Sequence, residues 1–138
     1  MTPYPFRFII RSGCLVVWPE ATGFSFTRRK AKVDIFNYLP NGATFQIHCK
    51  SKNNDLGVHV IGPGQKYELS FTPNIWGRTL FFCGVSWSGG HFVFDIYRDR
   101  RDNMDRCKHY CRWHVTKDAV IGFREDGPNA DIVIPWNK

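Results

Sequence analysis

The sequence has no Asn-x-Ser/Thr triplet, so it offers no acceptor for N-glycosylation. No run approaches the ~18 apolar residues that a membrane-spanning helix requires, and membrane insertion is not expected. Helical patterning is scarce as well. Only Arg98 to Tyr110 has the makings of a turn or two, and its apolar content is too low for a core helix. Repeats and low-complexity tracts are absent. So is the G-x-S-x-G elbow of serine hydrolases. The aspartates of 98–112 do not fit the calcium-loop pattern, and the bend glycine is missing.

What is present fits one domain. The chain has 138 residues, 43% hydrophobic and 16% aromatic, enough apolar surface for a core. Lys and Arg number 19 against 12 acidic residues, for a formal charge of +7. Such a surface favours an acidic partner, whether cell wall, membrane surface, nucleic acid or acidic protein face. The start reads differently: FRFIIRSGCLVVW is apolar with a leading arginine and runs into small residues at Ala21-Thr22-Gly23. Residues 1–23 are therefore expected to be a secretory signal, although Arg11 interrupts the apolar run, and 24–138 a single domain. Five cysteines become four when Cys14 is removed with that segment. Cys49, Cys83, Cys107 and Cys111 can then close two disulfides, as expected in an oxidising compartment.

Period-two alternation dominates the rest. Val33 and Ile35 share one face, as do Phe45, Ile47 and Cys49, then Leu56, Val58 and Val60, then Tyr67, Leu69 and Phe71, and finally Cys111, Trp113 and Val115. TLFFCGVSW and HFVFDIYR are apolar on both faces, as strands inside a sandwich would be. Turn residues such as Pro40-Asn41-Gly42, Asn53-Asn54-Asp55 and Ser88-Gly89-Gly90 punctuate these runs. The pattern predicts an all-β fold, an antiparallel β-sandwich of about eight strands stapled by two disulfides. Trp76, Trp87 and Trp113 are expected to anchor its core, with a tight bend at Gly77.

Several clusters could carry chemistry. Cys107, His109, Cys111 and His114 are all zinc-ligand types, but the spacing matches no finger or ribbon. On a strand, Cys111 and His114 would also point to opposite faces, so disulfides are the better reading and no metal or cofactor is expected. A basic secreted hydrolase of ribonuclease type would need two converging histidines, and nothing in the sequence brings any of the five together. The segment RDRRDNMDRCKHYCR reads as a solvated loop or, with Arg28-Arg29-Lys30 and Lys32, as part of a basic face for an acidic partner.

Taken together, VDIFNYL, HCKSKNNDLGVHVI, YELSFTPNIWGRTLFFCGVSW, FDIYRDRRD and CKHYCRWHV resemble the plant self-incompatibility protein S1 family, the S-protein homologues. The resemblance spans residues 31–116, with Asn53-Asn54-Asp55 standing where an all-acidic triplet is common. It implies a small, basic, secreted protein with four half-cystines and a β-sandwich. The family's pistil determinant is a ligand of a pollen plasma-membrane protein and not an enzyme. The implied partner is thus a plasma-membrane receptor protein rather than nucleic acid, with the chain a monomer outside the cell; a secreted ribonuclease-like hydrolase or defence protein is the alternative. Expected contact residues lie on surface loops: Lys50, Lys52 and Asp55, then Asn74, then Arg98, Arg100, Arg101 and Arg106. Cys107 and Cys111, close in sequence, are expected to bond elsewhere. Two connectivities remain, of which Cys49–Cys111 with Cys83–Cys107 is favoured because the 98–107 loop can return to Cys83.

Overall fold

A computed structural model describes residues 30–137, except Ile75, with Met104 and Asp105 described in their backbone alone. The expected signal segment 1–23, and Arg28 and Arg29 of the basic face, lie outside these residues. The alternating runs become nine strands: β1 (Ala31–Tyr38), β2 (Phe45–Lys50), β3 (Asp55–Ile61), β4 (Lys66–Phe71), β5 (Leu80–Trp87), β6 (Gly90–Arg98), β7 (Tyr110–Thr116), β8 (Ala119–Phe123) and β9 (Ala130–Pro135). Between β6 and β7 a short helix α1 (Asp99–Arg101) runs on as a π-helical turn, Asp102–Arg106.

The strands form two sheets, ordered β4-β1-β7-β8-β9 and β3-β2-β5-β6. The expected sandwich is what forms, with one departure from antiparallel pairing: β1 and β7 run parallel, Val33 beside Cys111 and Ile35 beside Trp113. These strands lie more than seventy residues apart in sequence, so a long crossover joins them and the hairpin rule does not apply.

Inward faces follow the alternation. Val33, Ile35, Phe45, Ile47, Val85, Ile96, Trp113 and Val115 are buried between the sheets. Trp113 also ties the sheets together, because its indole N–H donates to the Ile96 carbonyl at 3.1 Å and its ring meets Phe94 at 5.0 Å. Burial of each such large side chain contributes roughly 1.5–3 kcal/mol. Trp136 supplies a further anchor, packed at 5.0 Å from Phe92.

Four expectations need correction. Trp76 is 72% exposed and no part of the core, and Trp87 is only half-buried. β6 is buried on one face only: Val93 is 70% exposed, because nothing among the described residues covers the outer face of its sheet. Val58 and Val60 share that face, opposite His48 and Gln46.

The cysteine pairing is the fourth. The bonds are Cys49–Cys83 and Cys107–Cys111, not Cys49–Cys111 and Cys83–Cys107. Cys49 and Cys83 are directly opposite across β2 and β5, with Cα atoms 4.0 Å apart. Cys49 and Cys111 belong to different sheets, and the partner that faces Cys49 directly across its own sheet is Cys83. Cys107 and Cys111 meet because the chain leaves the π-helical turn and bends before β7, bringing their Cα atoms to 5.3 Å.

Candidate functional site

Two connections meet at one end of the sandwich. The first, between β2 and β3, is closed by the Ser51 N–H donating to the Asn54 carbonyl at 2.8 Å. At its far side Asp55 accepts the Gly57 N–H at 2.9 Å and lies 2.6 Å from His48 Nε2. The Gly57 N–H first, and His48 second, hold the Asp55 carboxyl below its ordinary value. Asp55 is therefore committed to shaping the turn, where a bulge shifts the β2–β3 register between His48 and Lys50.

The second connection runs from β4 to β5, and Asn74 organises it. Its side-chain oxygen accepts the backbone N–H of Trp76 at 2.9 Å and of Arg78 at 3.2 Å, while its own N–H donates to Thr79 Oγ1 at 2.7 Å. Gly77 takes φ +71°, a left-handed conformation that other residues adopt at a cost. The bend expected at Gly77 is thus present, and it turns Trp76 outward. The Thr79 carbonyl accepts the Asp99 N–H at 3.0 Å, docking the loop onto α1.

Between the two connections lies an open groove of about 750 Å³, lined among others by Lys52, Asn54, Asn74, Trp76, Arg78 and Phe82. Phe71 and Phe81, 4.5 Å apart, are part of the same lining, and among the described residues no acidic side chain contributes to it. Lys50 faces Phe82 across β2–β5, and Arg98 faces Leu80 across β5–β6, so both reach this end.

Of the expected contact residues, Lys50, Lys52, Asn74 and Arg98 gather here, with exposed Arg100 next along the chain. Arg98 lies 3.7 Å from Asp95, whereas Lys50, Lys52, Arg78 and Arg100 form no ion pair with the described residues. Arg101 and Arg106 belong elsewhere. Arg101 binds Asp102 and the Asp95 carbonyl at 2.8 Å. Arg106 is 4% exposed, bonded to Asp102 at 3.0 Å and Asp131 at 2.7 Å, with its guanidinium 5.1 Å from the Trp113 ring centre. It is a core cation and cannot serve as a surface contact.

Arg78 is the groove residue that patterning does not single out. An asparagine two positions before an apolar residue and three before a glycine is the available signal, since its side chain caps such a turn. Elsewhere the histidines stay apart: among the described residues no two imidazole rings are in contact. Asp102, Cys107 and Cys111 place ligand-type atoms within 4.8 Å of one another, but the two sulfurs are joined and offer no thiolate.

Fold and site together define a small β-sandwich stapled by two disulfides, whose distinctive surface is a rigid aromatic and basic loop end. The sequence profile described as "Plant self-incompatibility protein S1" matches residues 32–136, and the chain belongs to that family. Arabidopsis thaliana S-protein homolog 2 is 37% identical over 123 residues, 87% of this chain and 76% of that protein. Self-incompatibility protein S1 of Papaver rhoeas is 33% identical over 96 residues, 69% of each chain. A solved structure of self-incompatibility protein homologues, described as small, highly stable, secreted proteins from plants, superposes with a TM-score of 0.62. It covers 80% of this chain and 97% of its own at 16% identity, which shows the shared fold.

Proposed function

We propose that this protein is an extracellular recognition ligand. It binds a protein at the plant cell surface through the loop end around Trp76 and carries out no catalysis. The observation that carries this reading is the rigid display of Trp76, 72% exposed on a turn that one asparagine and one glycine hold in place. An ordered, exposed tryptophan beside arginine is the composition of an interface hot spot, and fixing it beforehand lowers the entropy lost on binding. Lys50, Lys52, Arg78 and Arg100 around it, in no ion pair with the described residues, would steer the protein toward an acidic partner. Secretion is supported by the two disulfides and by the secreted character of the structurally related homologues.

The test is binding of the oxidised protein to plasma-membrane vesicles from plant tissue. Lys52→Glu with Arg100→Glu should slow association and flatten its salt dependence, and Trp76→Ala should speed dissociation. Saturable binding that ignores all three changes would overturn the assignment of this surface. Export is tested separately by fusing residues 1–30 to a reporter.

A further inference from the structure

The groove has a chemistry more specific than a generic basic patch. Its lining combines a tryptophan, three asparagines and two cations, with no acidic residue among the described ones. Its volume of about 750 Å³ falls within the roughly 300–1,000 Å³ of ligand-binding clefts. An exposed, preset indole offers a flat, negatively charged π-face. The C–H bonds on one side of a pyranose ring are polarised positive and fit such a face. Side-chain amides both donate and accept, which suits sugar hydroxyls. Asn53, Asn54 and Asn74 line the groove on both walls, although Asn74 Oδ1 is already engaged by the turn. Arg78 presents a planar fork matched to a carboxylate, and Lys52 a second positive charge on the opposite wall. A neutral sugar would leave both cations unmatched, and a plain acidic peptide would leave the indole without a flat apolar partner of fixed spacing.

We infer that the groove between the β2–β3 turn and the β4–β5 loop binds an acidic polysaccharide of the cell wall, a chain of carboxylate-bearing pyranoses stacking on Trp76 and pairing with Arg78 and Lys52. This inference rests on the reading of that end as the recognition surface and adds a wall-borne ligand to it. Wall attachment would concentrate a small basic protein next to the membrane it acts on.

The test is calorimetric titration of the oxidised protein with hexagalacturonate in the presence of a calcium chelator. Maltohexaose serves as the neutral sugar and poly-glutamate as the polyanion without rings. Saturable binding to hexagalacturonate is expected, with none to maltohexaose and much weaker binding to poly-glutamate. Trp76→Ala and Arg78→Gln should each weaken it about tenfold or more. Lys117→Gln, an exposed change on the β7–β8 turn, should leave it unchanged. All three variants alter exposed side chains, so the fold survives to be tested. Absence of binding, equal binding to poly-glutamate, or indifference to Trp76→Ala would each overturn the proposal. Vesicle binding contains no wall polysaccharide, so the receptor reading can fail or survive independently.

Discussion

Oδ1 of Asn74 accepts the backbone N–H of Trp76 at 2.9 Å, so a single side-chain oxygen fixes the residue on which recognition is argued to depend. The same oxygen also takes the Arg78 N–H, closing the turn at both of its ends. Asn74→Ala removes both bonds. The groups are exposed and water can replace the lost acceptor, so global stability should fall by less than about 1.5 kcal/mol. Amide hydrogen exchange at Trp76 and Arg78 should accelerate clearly, while exchange in β2 and β5 stays slow. Asn74→Asp keeps the acceptor and should restore protection. Unchanged exchange in Asn74→Ala would show that Gly77 and Thr79 hold the turn without it.

The two disulfides should differ in their stabilising effect. Cys49–Cys83 closes a separation of 34 residues and Cys107–Cys111 one of 4. Chain-entropy arithmetic gives about 4 kcal/mol for the first and about 2 kcal/mol for the second. Denaturant unfolding of Cys49→Ala/Cys83→Ala should therefore show a loss about 2 kcal/mol greater than that of Cys107→Ala/Cys111→Ala. Peptide mapping of the oxidised protein should recover Cys49 linked to Cys83, and a Cys49–Cys111 peptide would contradict this pairing.

Why the pairing escaped the sequence is instructive. Phe45, Ile47 and Cys49 alternate, so the inward position of Cys49 was legible, as was that of Cys83 within a buried run. Their adjacency depends on β2 pairing with β5, a contact set by topology and not by any local pattern. The parallel β1–β7 ladder was hidden for the same reason. Trp76 misled because apolar character alone cannot tell a core anchor from a displayed one. The turn chemistry of Asn74 and Gly77 decides it, and a turn signal alone does not say which way the side chain between them points. Arg106 misled in the opposite sense: it sits in a charged run, yet Asp102 and Asp131 neutralise it inside the fold.

Arginine positions within that run should consequently separate by role. Arg106→Ala leaves buried Asp102 without one of its charge partners and opens space against Trp113. A Cβ added at Gly122 would collide with Arg106 Nη2, so the guanidinium fits closely against β8. A loss of about 3–5 kcal/mol is expected from breaking such a pair. Arg100→Ala, on the exposed side of α1, should change stability by no more than about 0.5 kcal/mol. Thermal or denaturant unfolding of the two variants makes the comparison. Equal effects would contradict the division between structural and surface cations.

Tyr110 gives a prediction in the alkaline range. Its hydroxyl donates to Asp34 Oδ2 at 2.8 Å, an oxygen that also receives Lys66 Nζ at 3.0 Å. Burial, then the hydrogen bond to Asp34, then the Asp34 charge push the Tyr110 phenol up to about 12. In the unfolded chain the phenol ionises near its ordinary value of about 10. Between those two values the unfolded state has lost a proton that the folded state keeps. This residue's contribution to stability therefore declines as pH rises from about 10 to about 12 and levels off above. Lysines titrate in the same window, so the readout must be specific to the phenol. The tyrosinate absorbance of the native protein minus that of Tyr110→Phe should titrate near pH 12. A midpoint near 10 would mean that the Tyr110–Asp34 bond is not held in solution.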